Sequence, residues 1–152
     1  MDHLPLQWDC LAFRELENTL LYQILHLRQQ VFVVEQACLY QDLDNLDQVG
    51  FHLACRREGE LLAYLRALPP GLSYEQSSLG RIVVSPGARG MQLGREIVQR
   101  GVDFNRGQWP GSDIKIGAQT YLETFYHSYG FVTVSPPYDE DGISHIKMLL
   151  KT

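Results

Sequence analysis

Cysteine is scarce in this chain: of 152 residues only Cys10, Cys38 and Cys55 are cysteines. The set is odd in number, scattered, and contains no Cys-x-x-Cys pair, which excludes a disulfide framework and a cysteine-built zinc centre. The three read as reduced, mostly buried thiols. Long apolar runs are missing too, since no uninterrupted stretch approaches the ~20 residues that a membrane helix needs. The opening MDHLPLQWDC has neither the basic segment nor the apolar core of a secretory signal. A soluble, cytoplasmic protein with no membrane partner is therefore expected. Positive charge is in deficit, with 13 Lys and Arg against 18 Asp and Glu for a net charge of -5. That argues against a nucleic-acid partner, which would require a basic face. Repeats, low-complexity tracts and linker-like shifts in composition are absent, so residues 1–152 read as a single domain.

What remains is an ordinary globular composition, 45% hydrophobic and 20% charged, arranged in alternating periods. Residues 6–10 suggest an opening strand. In TLLYQILHLRQQVFVVEQ, Leu20, Ile24, Leu27 and Val31 recur at helical spacing, as do Leu21, Leu25 and Phe32. FHLACRRE and ELLAYLRAL flank Glu58-Gly59 as the two strands of a hairpin, and SLGRIVV follows as a further buried strand. A helix from about Gln92 to Asn105 carries Leu93, Ile97, Val98 and Val102 on one side, with Gln92, Arg95, Glu96, Gln99 and Asp103 on the other. IKIGA is a strand candidate. TYLETFYHSYG then offers Thr120 as N-cap, Glu123 as its capping-box partner and Gly130 as the stop. FVTV and SHIKMLL close the chain as strands. The order β-α-β-β-β-α-β-α-β-β predicts an α/β or α+β sandwich with a helix-covered sheet, and not a regular doubly wound fold.

The stretch SPGARGMQLGREIVQ lies at the junction of the SLGRIVV strand and the following helix. Glycine there permits positive φ and close backbone approach to a ligand, and a helix N-terminus favours an anion. A phosphate cradle is the natural reading. It is not a Walker loop, because no lysine follows Gly94, and it is not a dinucleotide fingerprint, because Gly87, Gly90 and Gly94 have the wrong spacing. Asp42 and Asp44 fit the first positions of a calcium loop, but Leu46, Asp47 and Leu53 stand where ligands or glycine belong. No metal is expected.

The segment Arg89-Gly90-Met91-Gln92-Leu93-Gly94 resembles the Q/R-x-x-G-x-G/A signature of the GNAT acetyltransferases, departing from it at Gln92, where glycine is usual. Downstream, Phe125, Tyr126, Gly130 and Phe131 match the F-Y-x-x-x-G-F pattern of the same family, with Gln119 in its asparagine position. LRQQVFVVEQACLYQDLDNLD, GRIVVS and YDEDGISHIKM make the chain similar to the ElaA branch of that superfamily over nearly its whole length. The resemblance implies the GNAT fold: a mostly antiparallel sheet with helices on both faces, whose fourth and fifth strands run parallel and splay around acyl-CoA. Those strands would be the one ending at Val84 and the one spanning residues 114–118. It further implies an N-acetyltransferase that moves the acetyl group of acetyl-CoA to a small amine or a peptide amine in a ternary complex. The rival reading is a non-catalytic acyl-CoA-binding or sensing module. Strand edges and aromatic residues permit a homodimer without requiring one.

In such a site the backbone of Ile82, Val83 and Val84 would pair with the pantetheine arm, as an added strand does. The amides of Arg89, Gly90, Met91, Gln92, Leu93 and Gly94 would hold the pyrophosphate, Arg89 adding a charge-assisted bond. Gln119 and Tyr126 would border the thioester. Tyr126 is then the general acid for the departing thiolate, or else a core aromatic on the stripe of Leu122, Phe125 and Tyr129. Glu35, at the end of the first helix, is the candidate general base, its pKa expected to be raised by partial burial. Its alternative is a salt bridge to Arg28 or a solvated helix end. His52 and His145 are further candidates, read more simply as structural or surface residues, and His127 is expected to face solvent. YQDLDNLDQ is either an acidic lure for a cationic acceptor or a solvated loop with capping aspartates. Cys38 beside it has no recognisable base and is not expected to be a nucleophile.

Overall fold

The computed structural model describes residues 4–152. Strand β1 (Gln7–Ala12) precedes helix α1 (Asn18–Arg28), which widens without a break into a π-helical segment, Gln29–Glu35. Hairpin strands β2 (Phe51–Arg57) and β3 (Glu60–Leu68) follow. Their turn has Glu58 and Gly59 at φ of 50° and 79°, the left-handed pair that tight hairpins require. Then come β4 (Ser77–Val84), α2 (Leu93–Gln108), β5 (Ile114–Gln119), the short α3 (Glu123–His127), β6 (Val132–Thr133), β7 (Tyr138–Glu140) and β8 (Ile143–Leu150). The strands form one sheet in the order β1-β2-β3-β4-β5-β8-β6, with β7 also paired to β8. Every pairing is antiparallel except β4 with β5.

Both faces of the sheet are covered by helices, as the alternating hydrophobic pattern predicts. Leu20, Ile24, Leu27 and Val31 pack on Ala54, Leu61, Tyr64 and Val83. On the opposite face Leu93, Ile97, Val98 and Val102 of α2 meet Leu65 and Ala67, together with Ile114, Ile116, Ile146 and Met148. Gly101 of α2 sits where a Cβ would lie 2.8 Å from Leu65 Cδ1 and 3.3 Å from Leu79 Cδ2. Gly101→Ala gains helix propensity of ~1 kcal/mol but must push aside two buried leucines. Overpacking of that kind costs about 1–3 kcal/mol. A net loss of about 1 kcal/mol is expected, read from the urea midpoint.

Several local expectations are corrected. The opening strand runs two residues further than residues 6–10. The Thr120–Glu123 capping box does not form. Thr120 begins a 3-10 turn, its hydroxyl sharing a hydrogen bond with Ser144 Oγ at 2.8 Å, while Glu123 accepts from the hydroxyl of Thr133. Tertiary partners thus outcompete the local cap, and the helix shrinks to Glu123–His127. Gly130 does stop the chain's turn at φ 99°. The FVTV strand contracts to two residues, and β7 is an addition, closed onto β8 by Asp141 and Gly142 at φ of 53° and 83°. No helix among the described residues is long and apolar enough to cross a membrane.

The feature that positions the site is the partial pairing of β4 and β5. They share only two register pairs, Ser77 with Ile114 and Ser78 with Lys115. Buried Asn105 of α2 secures that closed end, its amide donating to Ser77 Oγ and to the Ser78 carbonyl, each at 3.2 Å. Beyond Ser78 the strands part. Arg81, at φ 52°, marks a bulge where β4 fits an extra residue against β3 between the Tyr64–Val83 and Arg66–Gly80 pairs. A bulge bends its strand and raises its twist, which helps turn the end of β4 away from β5.

Candidate active site

A cavity of about 640 Å³ fills the space between the parted strands. Ile82, Val83 and Val84 form one wall, and Gln119 and Tyr126 contribute to the other. Arg89 and Glu35 stand at its margin, so seven of the sequence-nominated residues meet at one opening. Gly90, Met91, Gln92, Leu93 and Gly94 lie beyond the lining, the first three in the turn that leads into α2 and the last two as the first residues of that helix. Gly90 has φ 91° and Gln92 φ 63°, so Gln92 adopts the left-handed backbone for which the family signature uses glycine. For a residue with a Cβ that conformation costs about 1–2 kcal/mol. The turn is therefore kept despite the substitution. Gln92 caps α2, and the first N–H groups of the helix have no carbonyl of the preceding turn to bond. They are available to an anion.

Arg89 already has a partner. Its Nη1 and Nη2 donate to Glu35 Oε2 and Oε1 at 2.8 and 2.6 Å. Both side chains are nearly half exposed. The expected environment of Glu35 is thus corrected. The hydrogen bond from Arg89, with its charge, holds the carboxyl below its ordinary value, where partial burial was expected to raise it. The expected partner Arg28 faces the interior instead.

Arg28 is fully buried and donates from Nε to Asp42 and from Nη1 to Asp47, both at 2.8 Å. Arg66 grips Asp44 with two parallel bonds of 2.8 Å and reaches Asp47 at 2.9 Å. Arg81 pairs with Asp42 at 2.7 Å and with Asp44 at 3.3 Å. Three arginines thus balance three aspartates. The aspartates of the YQDLDNLDQ loop are paired inside the protein, neither an unpaired acidic lure nor solvated, which corrects those readings; the expected capping does occur at Asp44, which accepts from the Leu46 N–H at 3.1 Å. Burial pushes the Asp44 and Asp47 carboxyls up, but hydrogen bonds and charge from Arg66, and for Asp47 also Arg28, hold them below the usual range. The network ties α1 to β3 and to the bulge of β4, and so fixes the far wall of the cavity.

The histidines divide. His52 is buried, with Nδ1 2.6 Å from Tyr64 Oη and Nε2 2.8 Å from the Asp47 carbonyl, so both nitrogens are committed. Burial lowers its pKa and keeps it neutral. His127 is exposed. His145 lines the cavity together with Glu140. Cys38 is buried and donates to the Asp141 carbonyl at 3.1 Å, and burial, with the charges of Asp141 and Asp139, pushes the thiol up. Such a thiol is a poor nucleophile. Tyr126 is 6% exposed within the main core, and burial raises the pKa of its phenol, which is protonated at neutral pH in any case. Arg66, Arg81 and Glu140 were not nominated from the sequence. Arginines on otherwise apolar strands and the Asp-Gly turn after Glu140 were the available signals. The described residues contain no cluster of His, Cys, Asp or Glu suited to a metal.

Residues 20–152 match the family described as Acetyltransferase (GNAT) domain. Protein ElaA of Escherichia coli is 39% identical over 145 residues, 94% of this chain and 95% of that one. Its crystal structure superposes with a TM-score of 0.91, covering 97% of this chain and all of the other. An acyl-CoA N-acyltransferase from Pseudomonas aeruginosa superposes at 0.92 with 42% identity, over 96% of this chain and 99% of that one. A UPF0039 protein of Synechocystis is 39% identical over 149 residues, 97% of both chains. With the splayed β4–β5 pair and the glycine turn at α2, these matches place the chain in the GNAT acetyltransferase family, in its ElaA-like branch.

Proposed function

We propose that this protein is an N-acetyltransferase that binds acetyl-CoA in the cleft between β4 and β5 and passes the acetyl group directly to an amine. The observation that carries the reading is the parted strand pair, which leaves the residue 82–84 edge of β4 facing a cavity large enough for an acyl-pantetheine arm. An arm with amide groups can bond to that edge as an added strand does. The pyrophosphate then meets the turn Arg89, Gly90, Met91 and Gln92 and the first helical residues Leu93 and Gly94, where helix dipole and free amides coincide. Tyr126, buried and protonated at the inner wall, is the acid that returns a proton to sulfur. Membership of the GNAT family and likeness to an acyl-CoA N-acyltransferase support the cofactor class.

Isothermal titration with acetyl-CoA tests this, with 3′-dephospho-CoA and NAD as controls. Saturable binding selective for acetyl-CoA is expected, and none at millimolar ligand would overturn the reading. Two variants sharpen it. Arg89→Glu is expected to weaken binding roughly tenfold or more, because a charge-assisted bond to phosphate becomes a repulsion. Glu35→Gln is expected to strengthen it severalfold, since Arg89 no longer has to leave a carboxylate before meeting phosphate. Opposite shifts at two residues bonded to each other could not come from general damage to the fold.

A further inference from the structure

Acetyl transfer needs a group to take the amine's proton. Glu35 is held by Arg89, the loop aspartates by three arginines, and His52 by Tyr64 and Asp47. We propose that His145 is the general base and that Glu140 stabilises its charged form; this deepens the acetyltransferase reading and rests on it. β8 places His145 between Gln119 of β5 and Tyr138 of β7 in register. Ile146 and Met148 alternate onto the face that α2 covers and leave His145 toward the cavity, which it lines with Gln119 and Glu140.

The tautomer follows from one contact. His145 Nδ1 is 2.8 Å from the Ile143 carbonyl oxygen. A carbonyl only accepts, so Nδ1 carries the proton and the lone pair is on Nε2. Nε2 lies 3.4 Å from Oε2 of Glu140, whose side chain is about half exposed, so the carboxylate is free to move aside for the amine and to accept from Nε2–H once the proton has been taken. A histidine whose Nδ1–H is fixed by a backbone carbonyl presents Nε2 as its one basic atom. The Tyr138 ring, with its centroid 6.0 Å from that of His145, holds the imidazole from the side, and the side chain is about one-tenth exposed. The other charged groups of this region are Asp139 and Asp141 of the same hairpin and Lys147, whose ammonium sits 4.8 Å from the Tyr138 ring centroid.

In the step, the neutral amine's lone pair forms the C–N bond to the thioester carbonyl carbon, and the C–S bond breaks with its pair left on sulfur. The surplus N–H proton goes to His145 Nε2, and the Tyr126 hydroxyl supplies the proton that sulfur takes. Water afterwards carries the proton from imidazolium to phenolate. The sum is amine plus acetyl-CoA giving acetamide plus CoA thiol.

The test needs no identified acceptor. S-bromoacetyl-CoA presents an alkylating carbon where the acetyl group would sit, and the modified residue is mapped by mass spectrometry. A single adduct on His145 is expected, suppressed by excess acetyl-CoA, absent in His145→Gln and formed more slowly in Glu140→Gln, with acetyl-CoA affinity of both variants unchanged by calorimetry. An adduct on Cys38, Glu35 or Tyr126, or none from a reagent that competes with acetyl-CoA, overturns the assignment. A reagent and an acetyl-CoA that both fail to bind would overturn the acetyltransferase reading itself.

Discussion

Arg28→Met is expected to destabilise the fold by about 3–5 kcal/mol, the cost of removing one partner from a buried ion pair. Arg28 is fully buried, and its guanidinium answers Asp42 and Asp47, themselves under 10% exposed. Methionine fills a similar volume beside the Tyr64 ring, over which the guanidinium lies at 5.9 Å, so the loss isolates the charges left behind. Arg66 and Arg81 can each keep one aspartate, which is why the effect stops short of abolishing folding. Arg28→Lys should lie in between, since an ammonium cannot bond both carboxylates in the fixed fork of a guanidinium. The same network sets an acid limit. Asp44 and Asp47 have folded-state pKa values below their unfolded ones. Their contribution is complete above the ordinary carboxylate range near pH 4 and is lost as pH falls through the lowered values. Urea midpoints at pH 7 and pH 3 check both points: the gap between wild type and Arg28→Met should narrow in acid. An equal gap at both pH values would remove the network as its cause.

How much of this was legible follows from the sequence distance over which each feature is decided. The stripes of α1 and α2, the Glu58-Gly59 hairpin and the stop at Gly130 are set within one or two turns of chain, and periodicity revealed them. The parallel, splayed β4–β5 pair was anticipated through the resemblance alone, because no local pattern encodes which strands part. The aspartate loop was misjudged for a related reason. Its counter-ions come from Arg28, Arg66 and Arg81, which lie 14 to 39 positions away where bonded to it. Glu35 was tied to the nearby Arg28, while folding brings Arg89 from 54 residues away. Thr120 followed the same rule in reverse: its local capping signal was strong, and a tertiary partner on β8 displaced it. His145 carried no distinguishing mark in the sequence, since its tautomer depends on a carbonyl of its own strand and its environment on β7, an element of three residues.

Tyr126→Phe is expected to separate chemistry from packing more sharply than any other change. Positioned acids and bases typically contribute 10²–10⁴-fold to rate, and a loss of about that size in acetyl-CoA-dependent thiol release is expected, measured with an amine found by screening. Binding of acetyl-CoA and the unfolding midpoint should hardly move. The Tyr126 ring belongs to the core, with edge-to-face contacts to Phe125 and Phe131 at centroid distances of 5.1 and 6.0 Å, and phenylalanine keeps them all. Removing the hydroxyl leaves the ring contacts in place and costs little. The residue lines the cavity, and among the described residues its hydroxyl is not one of the buried polar atoms left without a partner, which fits a group that meets a ligand. If turnover persisted in Tyr126→Phe, the ring would be a core aromatic alone, and the thiolate would have to take its proton from water. If binding fell together with turnover, the hydroxyl would be a contact to the bound arm, and the acid would have to be sought elsewhere in the cavity wall. Loss of rate with binding and stability intact is the one outcome that assigns Tyr126 the proton.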